Sequence, residues 1–410
     1  MNYIFDFFHW LLICVEVVLL FNLMIVVHEI GHYLAARWRG LVVEKFGIWF
    51  GNPIWKKTIN GVEYSLGSIP AGGFVALPQM APMEAMEGDS KLDRSKLPPI
   101  STTDKIIVAF AGPLFSISLA FFFAFIVWGV GRPVSEGEGS TKIGYVVPDS
   151  PAQRAGLLAG DQILSIEGHP VHSFSKGSES ITWRIVSSES ELIPIVVERG
   201  GQTVTVQVKP EIEQGRLWER KGLRQIKIAP IETARVGKVM KNSPADLAGI
   251  QAGDIFTKLN GEALYSSVPI FQTIKDHPES PLALTVSRQG SELEKTILPV
   301  KPIGMDRAML GVEWDPVTTI DHQTPWFQVR ASLDTMVNMF GALLSRKSDI
   351  GLQHMSGPVG IMRLYYLLFQ SEHGWKYALW FSVVLNVNLG VMNMLPMPVL
   401  DGGHITIALL

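Results

Sequence analysis

His28-Glu29-Ile30-Gly31-His32 places two imidazoles four residues apart, with a carboxylate beside the first. On a helix, positions i and i+4 project from one face, so both rings can reach a single Zn²⁺. A Glu at that place can take a proton from a metal-bound water. The preceding stretch, Val17 to Val27, carries no charge. Ionisable groups in lipid are expensive and usually mark function. The pattern therefore points to zinc-dependent hydrolysis inside a bilayer.

Zinc held by two histidines needs a third protein ligand and an open position for water. Asp401 is the only carboxylate after Glu372. It follows Asn393-Met394-Leu395-Pro396-Met397-Pro398-Val399-Leu400 at the end of an uncharged stretch. His404, three residues on, is the alternative ligand.

Three segments are apolar enough to position these groups as membrane helices: about Phe8 to Ala35, Ile106 to Gly131, and Tyr377 to Leu400. The first also holds Glu16, to which no role is given. The third holds Asn386, Asn388 and Asn393. The apolar run Ile405 to Leu410 is too short to span, and a further helix is expected after it. Arg37, Arg39 and Lys45 follow the first helix, and Lys91, Arg94, Lys96 and Lys105 precede the second. Positive charge of this kind marks a cytoplasmic loop. The metal motif then lies toward the cytoplasmic side, and the long stretch between the second and third helices is exported.

Composition agrees with a mixed membrane and aqueous protein. Mean hydropathy is +0.23, and charged residues make up 18% of the 410. A net charge of −3 offers no electrostatic footprint for nucleic acid. Cys14 is the single cysteine, so an intrachain disulfide and a Cys₄ or Cys₂His₂ zinc site are excluded. Met1 to Trp10 contains no Lys or Arg and so lacks the basic start of a cleavable signal peptide.

The exported stretch repeats itself with an offset of 93 residues. Ser150-Pro151-Ala152-Gln153-Arg154-Ala155-Gly156-Leu157-Leu158-Ala159-Gly160-Asp161 returns as Ser243-Pro244-Ala245-Asp246-Leu247-Ala248-Gly249-Ile250-Gln251-Ala252-Gly253-Asp254. Each copy reads as strand, short capped helix, Gly-Asp turn, strand. The repeat resembles the PDZ domains of bacterial proteases, which implies two such domains over 132–220 and 221–303. They would either bind extended peptides at a sheet edge or only keep folded ectodomains away from the active site. Trp326 to Leu344 has apolar residues at helical spacing. It reads as an interfacial helix on the outer membrane face or as one packed on the second PDZ domain.

Together the two motifs, His28-Glu29-x-x-His32 and Asn393-x-x-Pro396-x-Pro398-x-Leu400-Asp401-Gly402, resemble the paired signatures of site-2 intramembrane zinc metalloproteases. The resemblance covers essentially the whole chain. It implies a polytopic α-helical protein of the bacterial inner membrane, with a membrane-associated β-hairpin and two exported PDZ domains. The expected order is a first membrane helix (1–36), a β region (37–104), a second helix (105–131), the PDZ pair, a linker with the interfacial helix (304–375) and a third helix (376–410).

The resemblance further implies that His28, His32 and Asp401 hold Zn²⁺ and that Glu29 is the general base. It implies single-span membrane substrates cut within their helix: an anti-sigma factor after a first exported-side cut, and remnant signal peptides. Tyr64 to Val75, with Gly67, Pro70, Gly72 and Gly73, resembles a re-entrant β-loop that would pair with the substrate backbone; an ordinary cytoplasmic hairpin is the alternative. Asn388 and Asn393 would offer amides to the substrate, or else to neighbouring helices. Pro396 and Pro398 would break the last helix so that Asp401 turns toward the metal. Ser116 departs from the family, which often has Asn there, and this puts a substrate-gating role at that position in doubt. Met355 to Gly360 resembles a family element with no chemical role assigned.

Overall fold

The computed structural model describes residues 2–80, 97–212, 222–302, 307–345, 347–351, 357–371 and 373–410. Lys91, Arg94, Lys96, Met355, Ser356 and the expected boundaries at 220, 221 and 303 lie outside them. The chain divides into two compact units.

The first unit comprises Met1–Arg132, His322–Met336 and Ser356–Leu410. Its helices are α1 (Asn2–Arg39), α2 (Thr102–Val130), α3 (Pro325–Leu344, of which the first part belongs here), α4 (Pro358–Phe369), α5 (Gly374–Asn393) and α6 (Asp401–Leu409). Phe7–Arg39 and Thr102–Val130 are long and apolar enough to cross a membrane. Ser101 starts α2 by accepting a hydrogen bond from the Asp104 amide, which satisfies one of the free N–H groups of a first turn.

Small residues let α1 and α2 approach closely. A Cβ on Gly31 would stand 2.5 Å from the Ala111 carbonyl oxygen, so only glycine permits this crossing. Farther along, Ala120, Phe123, Ala124 and Val127 of α2 pack with Val383 and Val387 of α5 and Val329 of α3. Gln328 also donates to the Ala124 carbonyl at 3.1 Å. The first part of α3 therefore packs on the helical bundle.

The last expected span differs from the structure. α5 stops at Asn393, short of Leu400. Pro396 and Pro398 have no N–H to continue a helical ladder, and tight turns such as Leu400 N to Met397 O (2.9 Å) take its place. Asp401 does not end a span but opens a helix of its own, α6.

Between α1 and α2 lies a sheet of β1 (Lys45–Phe50), β2 (Trp55–Ile59), β3 (Val62–Leu66) and β4 (Ile69–Ala76), in the order β2-β3-β1-β4. The expected hairpin over Tyr64 to Val75 is absent from it. β3 and β4 do not pair; β1 runs between them, parallel to β3 and antiparallel to β4. β4 is an edge strand. One sheet face, with Phe46, Val62 and Val75, packs on Ala35 and Ala36 of α1 and Val108 and Ala109 of α2. On the other face Phe50 and Phe74 stack at 6.3 Å. Their rings lie over Gly72 and Gly47, where an added Cβ would come within 1.9 and 2.3 Å of them.

The second unit comprises Pro133–Asp321 and Val337–Met355 and carries the repeat. Its copies begin at Ile143–Val146 and Ala234–Val239, turn through Pro151–Ala155 and Pro244–Leu247, and continue at Gln162–Ile166 and Ile255–Leu259. Ser150 and Ser243 cap the two short helices identically, each accepting from the amide three residues on. Each copy has its own apolar core.

An ion pair inside each copy explains the repeated Gly-Asp. Asp161 accepts from Arg199 Nε and Nη2 at 2.7 and 2.6 Å and from the Leu158 amide. Asp254 accepts from Arg288 at 2.7 and 2.8 Å and from the Gln251 amide. Both arginines also reach the glycine carbonyl that ends the short helix, Gly156 or Gly249. Burial works to raise the Asp254 carboxyl, but Arg288 and the Gln251 amide outweigh it and hold it below the ordinary 3.8.

Because Asp254 is 1% exposed, losing its carboxylate strands the Gln251 amide and frees the turn from its strand. Asp254→Ala is expected to destabilise the second unit by about 3 kcal/mol at pH 7, read as a lowered melting transition of the full chain. A depressed carboxylate stabilises fully above the unfolded value, near pH 4. The wild-type advantage should therefore persist down to that pH and shrink as pH falls through the lower native value.

Candidate metal centre

His28 and His32 sit one turn apart on α1, and Asp401 meets them from the first turn of α6. The two Nε2 atoms are 3.2 Å apart. Asp401 Oδ2 lies 3.2 Å from His28 Nε2, and Oδ1 lies 3.3 Å from His32 Nε2. Among the described residues these three form the group able to hold a metal ion.

Hydrogen bonds on the far side of the rings fix what these atoms are. His32 Nδ1 lies 2.8 Å from the Val108 carbonyl, which can only accept. Nδ1 therefore carries the proton, and in the neutral ring Nε2 presents a lone pair. His28 Nδ1 bonds Ser116 Oγ at 2.9 Å. Asp401 Oδ2 is buried with no hydrogen-bond donor aimed at it. The His32 lone pair and the Asp401 carboxylate thus converge, with His28 Nε2 beside them, on a point where a cation is well held. Tetrahedral coordination at about 2.0–2.1 Å sets ligand atoms about 3.3 Å apart, which matches the observed spacing. The donor set of two imidazoles and one carboxylate fits zinc.

α2 backs this group without filling it. A Cβ on Gly112 would stand 2.2 Å from His32 Nε2 and 2.8 Å from His28 Nε2. α6 is seated by its glycines: a Cβ on Gly402 would meet the Met394 carbonyl at 2.3 Å, and one on Gly403 the Met397 carbonyl at 2.0 Å. The chain between α5 and α6 is thereby wound tightly enough to turn Asp401 toward α1.

Glu29 packs against β4. Gly73 lies beside it, its Cβ position 3.3 Å from Glu29 Cγ. Sequence reading thus brings together His28, His32, Asp401, Glu29 and Gly73. Gly72 is one residue along, and the Phe50 ring already accounts for its missing side chain. His404 is buried but lies outside the ligand group. Asn388 and Asn393 are half-buried on the last turns of α5, and Pro396 and Pro398 are exposed in the turn after it. Asn386, fully buried, donates to the Ser382 carbonyl of its own helix.

Sequence reading missed three contributors. Ser116 reaches one imidazole of the candidate group, the Val108 carbonyl orients the other, and Gly112 makes room for both. The signal for two of them was present in Ala111-Gly112-Pro113-Leu114-Phe115-Ser116, where a glycine beside a proline inside an apolar helix marks close approach.

The model of peptidase family M50 matches residues 16–410. Regulator of sigma-E protease RseP of Salmonella typhimurium is 30% identical over 420 residues, covering 94% of this chain and 87% of that protein. A Vibrio cholerae protein provisionally named a zinc metalloprotease is 28% identical over 412 residues, with the same coverage. A solved HtrA3 PDZ domain bound to a phage-derived ligand is 30% identical over 21% of this chain and 65% of that one; its TM-score of 0.15 carries no fold argument.

Gly112→Ala is expected to abolish metal loading, because the His32 ring can clear the new methyl only by leaving the ligand set. Ser116→Ala should load metal but bind it about tenfold more weakly, the usual effect of losing a partner behind a ligating imidazole. Metal stoichiometry of the purified chain, followed by titration with a competing chelator, reads both.

Proposed function

This chain belongs to peptidase family M50 and is a zinc metalloprotease, and from that premise we propose that it cuts single-span membrane proteins within their transmembrane segments. The observation that carries this reading is the placing of the ligand group. His28 and His32 stand on a helix apolar enough to cross a membrane, and the glycine backing them stands on a second. A protease acting on soluble chains has no need to bury its centre there.

His28, His32 and Asp401 are the proposed zinc ligands, and Glu29 the proposed general base. Bound zinc supplies a Lewis acid that makes water a stronger nucleophile at neutral pH and polarises the scissile carbonyl. Glu29 takes one proton from the attacking water and hands it to the leaving amine nitrogen as the C–N bond breaks. Ser116 and the Val108 carbonyl hold the two imidazoles in the ligating orientation.

A helix in lipid keeps its carbonyls inside its own hydrogen bonds, so cleavage requires local unwinding. β4 offers an open strand edge beside Glu29, and an extended substrate segment would pair there next to Gly72 and Gly73. Asn388 and Asn393 would offer amides to the same segment, and Pro396 and Pro398 keep the approach to Asp401 free of helix.

The proposed setting is a multi-pass protein of a bacterial inner membrane. The β1–β4 sheet faces the cytoplasm, and the repeats form two exported PDZ domains that screen ectodomains or bind peptide ends. An anti-sigma factor already trimmed outside and remnant signal peptides are the proposed substrates, in envelope stress signalling.

Glu29→Gln should keep one zinc per chain and lose cleavage of a reconstituted membrane-spanning substrate by about 10³-fold. Cleavage at the wild-type rate would remove Glu29 from the mechanism.

A further inference from the structure

Asn22 is the one uncharged polar side chain in the otherwise apolar run Val17 to Val27, and it is 7% exposed. An amide at that depth is costly unless it is bonded. Asn22 Nδ2 bonds back to the Val18 carbonyl at 2.7 Å, as polar residues in helices commonly do. Its other bond leaves the helices altogether, reaching the Pro70 carbonyl of β4 at 3.1 Å. Its Oδ1 is buried and meets no donor among the described residues. Packing between helices does not account for this residue; its one partner outside α1 is the edge strand.

Asn22 and Glu29 are seven residues apart, two turns of α1, and so share a face. Asn22 takes the Pro70 carbonyl near one end of β4, and Glu29 stands beside the middle of the strand. Gly73 lies there, with Ile25 Cγ2 3.6 Å and Glu29 Cγ 3.3 Å from its Cβ position. Pro70 has no N–H, so its carbonyl is the backbone group through which this end of the strand can be held.

We infer that Asn22 is a positioning residue for the proteolytic reaction: it pins β4 to the helix that bears the zinc ligands, so that the strand edge at Gly73 stays beside Glu29. Without it the Pro70 end of β4 is released, while the proposed zinc ligands and the packing of Gly73 against α1 remain. The loss falls on capture of the extended substrate, not on bond breaking. The inference rests on the reading of β4 as the strand that receives substrate.

The test uses the full-length, zinc-loaded chain and a membrane-spanning peptide substrate in lipid. Asn22→Leu is expected to raise KM about tenfold, the order of one lost hydrogen bond, with kcat within about twofold and zinc content unchanged. Asn22→Gln, which keeps the amide on a longer arm, should recover most of the KM. Asn22→Thr, whose hydroxyl bonds back onto its own helix, should behave like the leucine variant and serves if that one does not accumulate.

An unchanged KM in Asn22→Leu, or a fall in kcat that tracks lost zinc, overturns the proposal. Failure of both the leucine and threonine variants to yield zinc-loaded protein also overturns it, because Asn22 would then serve the fold. A wild-type chain that leaves every membrane-spanning peptide intact defeats the substrate reading instead, which keeps the two failures separate.

Discussion

Two imidazoles and a carboxylate crowded on one point make a place where a cation is well held. The Nε2 atoms of His28 and His32 and the carboxylate of Asp401 converge within 3.2–3.3 Å. The rest of the helical unit is arranged to keep them there. Ser116 and the Val108 carbonyl fix the rings from behind. Gly112 leaves the space that a side chain would take. Gly402 and Gly403 let α6 begin close enough for its first residue to reach across. Each concession weakens local packing, and all are consistent with bound metal supplying the missing attraction.

The same economy governs the approach of the helices. Gly31 against Ala111 brings α1 and α2 into backbone contact, which in lipid replaces the hydrophobic drive that soluble helices use. Close crossing here also brings Val108 within reach of His32, so the packing that holds the helices and the bond that orients a proposed ligand are one contact seen from two sides. A larger residue at position 31 would disturb both together.

Local chemistry was legible in the sequence, and long-range order was not. The spacing of His28 and His32 fixes them on one helix face, and the charge-poor tail singles out Asp401, because both arguments need only neighbours. The repeat was legible through its caps, since Ser150 and Ser243 each satisfy an amide three residues ahead. The β region was misread as a hairpin because adjacency in sequence suggests pairing. The insertion of β1 between β3 and β4 depends on the parallel register of Lys45 with Glu63, which no local signal announces. The helix break was legible from Pro396 and Pro398, but not the start of a new helix at Asp401. Asn22 and Ser116 went unremarked as contributors because a polar residue in an apolar run shows its purpose only through its partner.

The proposed base has a second partner, and this links capture to chemistry. Glu29 packs against Gly73 of β4, its Cγ 3.3 Å from the Cβ position there. That packing keeps the proposed base beside β4. On the proposed reading, a substrate strand entering beside Gly73 would bring its own amides and carbonyls to the same edge. Each helical bond it gives up in lipid costs several kcal/mol if left unmade, so unwinding proceeds only where replacement partners already stand. An edge strand held at Pro70 supplies them without first having to be ordered. The residue next to Gly73 is then the one set down beside the base. Selectivity on this argument favours segments whose helix is weak, because β4 can replace backbone bonds but cannot recover the packing of a strong helix former.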